Sequence, residues 1–111
     1  MSHVTDRLNS MVEDSGLDFA DIARILKTSP RNVSRWANDE AEPRWETRER
    51  LLELSAVTER LIQVVTARAA QDWLFTPNQQ LGYEKPVDLI RLGEFKQVIG
   101  AIDALGEGAF T

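Results

Sequence analysis

A chain of 111 residues, 42% hydrophobic and 28% charged, has room for one domain or for two small units sharing a core, and reads as globular rather than disordered. It contains no cysteine, which excludes a disulfide framework and any thiolate metal site. A net charge of -5 and a pI near 4.8 argue against general nucleic-acid binding, which runs on phosphate neutralisation, but leave room for a small basic face on an acidic body.

The start of the chain lacks the basic-then-apolar design of a secretion signal, because Ser2, His3, Thr5, Asp6 and Asn9 interrupt it early. No apolar run approaches the ~20 residues that span a bilayer. A cytoplasmic protein without membrane contact is expected.

Apolar residues recur at three- and four-residue spacing almost throughout, which predicts an all-α chain. A first helix is expected over about Thr5–Asp14, with Val4, Leu8, Met11 and Val12 on one face and Gly16 supplying the left-handed turn that ends it. Asp18 caps a second helix, with Leu17 and Ile22 placed as a hydrophobic staple and Phe19, Ile22, Ala23 and Leu26 as the buried stripe. Lys27 and Thr28 make a turn. Ser29-Pro30 then opens a third helix with a hydroxyl cap and a proline whose missing amide costs nothing at the first helical position. That helix buries Val33, Trp36 and Ala37. After an acidic connection at Asp39–Pro43, one long amphipathic segment is expected from about Glu46 towards Ala70, with the seam between two halves inside it near Ser55–Arg60. Trp73, Leu74 and Phe75 form an apolar knot stopped by Thr76-Pro77-Asn78. A short helix runs from Pro86 to Gly93, and a last one places Phe95, Val98, Ile99, Ile102 and Leu105 on one stripe.

From Asp18 to Trp36 the signals fall in the order of a helix-turn-helix. Small Ala23 allows the two helices to cross closely. The second helix then presents Arg31, Ser34, Arg35 and Asn38 as one polar face, with Asn32 beside it. In such motifs the N-terminal part of the second helix enters the major groove, where arginine reads guanine and asparagine reads adenine through paired hydrogen bonds. Lys27, Arg31 and Arg35 are the only charges from 27 to 35, so this face is locally basic. The stretch DFADIARILKTSPRNVSRWANDEAEP resembles the Xre/Cro-type DNA-binding family. It departs from that family at Lys27, where glycine is common, and in the acidic Asp39, Glu40 and Glu42 beyond the reading helix. A single copy makes few phosphate contacts, so a homodimer bridging two half-sites is expected.

The stretch WLFTPNQQLGYEKPVDLIRLGEFKQVIGAIDALGEG resembles the toxin-binding domain of the Xre/MbcA/ParS antitoxin family. Trp73, Pro77-Asn78, Leu81-Gly82, Pro86, Asp88-Leu89, Gly93, Val98, Ile102 and Gly106 carry that likeness. The resemblance implies an N-terminal helix-turn-helix bundle over residues 1–57, followed by a small helical toxin-binding domain over 58–111. It implies a cognate RES-domain toxin that consumes NAD, tight obstruction of that toxin's active site, and repression of the shared operon at operator DNA. The toxin-binding candidates are Trp73, Pro77, Asn78, Gly106, Glu107, Gly108, Phe110 and Thr111; the DNA-binding candidates are Lys27, Arg31, Asn32, Ser34, Arg35 and Asn38. Each of the first set has a plainer role: Trp73 lies where a core side chain would, Pro77-Asn78 stops and caps a helix, and Gly106 ends one. Phe110, a large apolar side chain beyond two glycines, is either tucked back or presented to a partner. With Glu107 and the Thr111 carboxylate beside it, the tail can imitate the phosphates of a dinucleotide in a basic cleft.

Enzymatic chemistry is not expected. His3 is the sole histidine and no serine has one to activate it; Gly100, Gly106 and Gly108 form no phosphate loop. Acidic pairs such as Asp14–Asp18 and Glu42–Glu46 read as solvated faces and caps. No cofactor and no metal is called for. The other readings are a free-standing repressor whose C-terminal half dimerises, and an interaction module with a defunct DNA-binding half.

Overall fold

The computed structural model describes residues 3–107, and among these it contains seven α-helices and no strand. They are α1 (His3–Ser15), α2 (Phe19–Leu26), α3 (Pro30–Ala37), α4 (Trp45–Leu61), α5 (Ala67–Leu74), α6 (Pro86–Arg91) and α7 (Phe95–Gly106). Among the described residues no helix is long and apolar enough to cross a membrane.

Local chemistry sets the first three helices as expected. Gly16 (φ 77°) turns the chain after α1. Asp18 accepts from the Asp21 amide at 2.8 Å and the Asp21 carboxylate accepts from the Asp18 amide at 3.2 Å, a reciprocal capping box at the start of α2. The Ser29 hydroxyl accepts from the Asn32 amide at 3.1 Å, with Pro30 at the first position of α3. Leu8, Ile22, Val33, Leu51 and Leu54 are fully buried in one core. The far end of α3 is closed by α1. The Thr5 hydroxyl donates to the Trp36 carbonyl at 2.8 Å, and the Asn9 amide donates to the Ala37 carbonyl at 3.0 Å. Those side chains satisfy carbonyls that a helix end leaves without intrahelical donors.

Two expectations need correction. The segment from Glu46 towards Ala70 is two helices, because α4 stops at Leu61 and Thr66 caps α5 by accepting from the Ala69 amide at 3.2 Å. Val64, Val65 and Thr66 are β-branched and lose rotamer freedom in a helix, so the chain turns there. The buried stripe of α2 is also shifted. Ile25 is fully buried, whereas Phe19 and Leu26 are only half-buried, since α6 packs against α2 and covers that side.

α4 is the spine shared by both ends of the chain. It packs along α1, and it also packs along α7, burying Leu51, Leu54, Val57 and Leu61. α7 contributes Val98, Ala101 and Ile102 to the same core. α5 lies on α1, where the Gln71 side-chain amide donates to the Gly16 carbonyl at 2.8 Å.

Candidate functional site

The α2–α3 turn presents its basic residues outward. Lys27 closes α2 in the left-handed conformation (φ 56°) with its amide bonded to the Ala23 carbonyl, and its side chain is exposed. Arg31 and Arg35, one turn apart on α3, are exposed too. None of the ion pairs among the described residues involves Lys27, Arg31 or Arg35, whereas Arg7, Arg24, Arg50, Arg60 and Arg91 each have a carboxylate partner. The other three nominated residues are partly engaged. Asn32 donates to the Thr28 hydroxyl at 2.9 Å, and Asn38 closes α3 and reaches the Ser34 hydroxyl at 3.5 Å. Lys27, Arg31 and Arg35 are therefore cations of this face outside the ion pairs among the described residues; Arg31 stands in the first turn of α3, where backbone amides point outward and favour anions, and Arg35 in its last turn. Asp39 is drawn back towards α1, its carboxylate accepting from Thr5 at 3.3 Å.

The C-terminal candidates are not equivalent. Trp73 is half-buried against the core beside fully buried Leu74. The next residue, Phe75, lies under the Arg24 guanidinium, 4.6 Å from the ring centre. Pro77 is exposed. Asn78 is the hub of its loop: its side chain accepts from the Gln80 amide at 2.8 Å, its carbonyl accepts from Leu81 (2.9 Å) and Tyr83 (2.8 Å), and its amide donates to the Glu84 carbonyl at 3.0 Å. Gly106 does not end its helix through a left-handed turn. It is the last residue of α7, Glu107 takes the cap position, and a Cβ at 106 would stand 2.9 Å from a methyl of Val64. Its role is close approach to the α4–α5 connection. Glu107 is exposed, while Gly108, Phe110 and Thr111 lie outside the described residues.

Sequence reasoning missed several exposed apolar side chains. Trp45 (70% exposed) begins α4, Leu92 (72%) follows α6, and Tyr83 (70%) sits in the loop before α6 with a left-handed backbone (φ 67°). No periodicity marks Tyr83, since it lies in a loop. Arg91 was missed for a related reason: its partners are backbone carbonyls 66 and 67 residues away. Among the described residues no group of His, Asp and Glu side chains is arranged to hold a metal.

Residues 57–108 match the family described as the antitoxin Xre/MbcA/ParS C-terminal toxin-binding domain. The chain is 37% identical over 104 residues to the mycobacterial cidal antitoxin MbcA of Mycobacterium tuberculosis and of Mycobacterium bovis, a match covering 94% of this chain and 92% of the relative. Its fold superimposes with a TM-score of 0.88 and 34% identity on a chain from the crystal structure of the M. tuberculosis MbcT–MbcA toxin–antitoxin complex, over 100% of both chains.

Proposed function

The chain belongs to the Xre/MbcA/ParS antitoxin family, and from that premise we propose that this antitoxin blocks the active site of a cognate RES-domain, NAD-consuming toxin and represses its own operon through α3. The observation that carries the reading is the end-to-end likeness to an antitoxin chain taken from a toxin–antitoxin complex. An antitoxin of this kind is a binding protein rather than an enzyme, in keeping with the lone His3.

Labour divides near residue 57. Lys27, Arg31 and Arg35 approach phosphates and base edges, while Asn32, Ser34 and Asn38 shape the reading helix and its ends. Two copies of α3 reading half-sites about 34 Å apart require a homodimer. On the other side, Pro77, Glu107, Gly108, Phe110 and Thr111 touch the toxin directly. Trp73, Asn78 and Gly106 hold that surface in place from within. Glu107 and the Thr111 carboxylate carry the negative charge that a dinucleotide-binding cleft accepts.

The test is protection against the toxin by the full chain and by a chain ending at Glu107. The full chain abolishes NAD consumption by the toxin, and the shortened one stays helical but protects poorly. Full protection by the shortened chain would remove the tail from the inhibitory surface. Absence of protection by either would overturn toxin inhibition and leave a free-standing repressor.

A further inference from the structure

The α2–α3 turn is finished by a side chain from the other half of the molecule. α2 ends at Leu26, and Lys27 leaves the helical conformation. In a continued helix the Thr28 amide would satisfy the Arg24 carbonyl, but that amide turns instead to Ala23 at 2.9 Å. The Ser29 amide would serve Ile25 in the same way, but Ser29 is extended, as the cap of α3. The last carbonyls of α2 therefore need outside donors. Arg91, the final residue of α6, supplies them: Nε donates to the Ile25 carbonyl at 3.0 Å and Nη2 to the Arg24 carbonyl at 2.6 Å. Its third nitrogen, Nη1, donates to the Asp88 carboxylate at 2.6 Å, which fixes the plane of the fork. Three donors in rigid geometry are a property of guanidinium that an ammonium cannot reproduce, and a cation at a helix C-terminus also meets the negative end of the helix dipole.

We propose that Arg91 is a positioning residue for DNA reading: carried on the toxin-binding half, it completes the C-terminus of α2 and so sets Lys27 and the start of α3 relative to the rest of the chain. The proposal rests on the reading of α3 as the DNA-contacting helix. On this account α6 is part of the DNA-binding apparatus although Arg91 touches no DNA, and the first 57 residues do not make a self-sufficient reading head.

The experiment uses the full chain carrying Arg91→Ala or Arg91→Lys, with amide hydrogen exchange on the free protein. A second readout is affinity for a duplex of the sequence immediately upstream of the antitoxin's own gene, measured across a salt series. Exchange at the Lys27 and Thr28 amides rises in Arg91→Ala and less in Arg91→Lys, while the amides of α7 keep their protection. Affinity for the duplex falls roughly tenfold in Arg91→Ala, the scale of one lost charge-assisted hydrogen bond, and is partly restored by lysine. The salt slope stays the same, because a positioning residue neutralises no phosphate; loss of a direct phosphate contact would lower it by about one. Unchanged exchange at Lys27 and Thr28 in both variants would overturn the proposal, as would a lowered salt slope. If Arg91→Ala loosens the whole chain, the lysine variant decides by the same two amides. A wild-type chain that ignores the duplex would refute the operator reading alone, since exchange still reports whether Arg91 holds the turn.

Discussion

The candidate reading face on α3 and the candidate C-terminal binding region were nominated from the same sequence, yet their side chains have different fates. On α3, Arg31 and Arg35 stand clear of the core and of every ion pair among the described residues, while Val33 and Trp36 on the opposite side are buried. In the C-terminal region Asn78 spends its hydrogen bonds on its own loop, Trp73 leans on the core, and Gly106 makes room for Val64. A helix sorts function from packing by angle, so one period separates the two sets of residues. A surface assembled from loops and helix ends has no such rule, and its signature residues are mostly the ones that shape it.

The largest effect should come from the shared spine. Leu61 is fully buried at the end of α4, the helix that packs on both α1 and α7, so Leu61→Ala should cost about 2–5 kcal/mol, and the chain should still unfold in one thermal transition. Two separate transitions would mean that the halves have independent cores. Next is Arg35→Ala, which should weaken promoter binding by about 1–3 kcal/mol with the thermal midpoint and toxin protection unchanged. Loss of toxin protection in this variant would contradict the separation of the two faces. Lys27→Gly should move two properties in opposite directions. Glycine suits the left-handed backbone at 27 and should add about 1 kcal/mol of stability, while the lost cation weakens promoter binding; a fall in stability would refute the backbone account. The smallest expected change is Gly106→Ala, which pushes Val64 and should cost on the order of 1 kcal/mol or less. In a Val64→Ala background that penalty should vanish, and a penalty that persists would place its origin elsewhere.

Most of the fold was legible because its signals are local. The Asp18 and Ser29 caps, Pro30, and the apolar spacing of α1 and α3 each act within one or two turns of helix and appear where the spacing predicts, whereas α7 buries Val98, Ala101 and Ile102 and leaves Phe95, Ile99 and Leu105 of the expected stripe only half-buried. The break after Leu61 was not legible, since Val64 and Val65 continue the apolar spacing of a helix while being poor residues to build one. Arg91 was out of reach for a different reason. Backbone carbonyls are the same at every position, so a side chain that bonds them across 66 residues leaves no complementary residue to find. Tyr83 needs a backbone angle as well as a residue name before it stands out. The charges on α3 were visible from their spacing, but only the ion-pair pattern around them separates free cations from bound ones.

The most direct test of the account is NAD consumption by the proposed RES-domain partner toxin, measured as the purified antitoxin is titrated in. The account predicts saturable inhibition that reaches completion near a fixed ratio of the two proteins, and NAD loss that returns when the antitoxin is unfolded or removed. Undiminished NAD consumption at excess antitoxin, with the chain folded and bound only to its promoter, would contradict it.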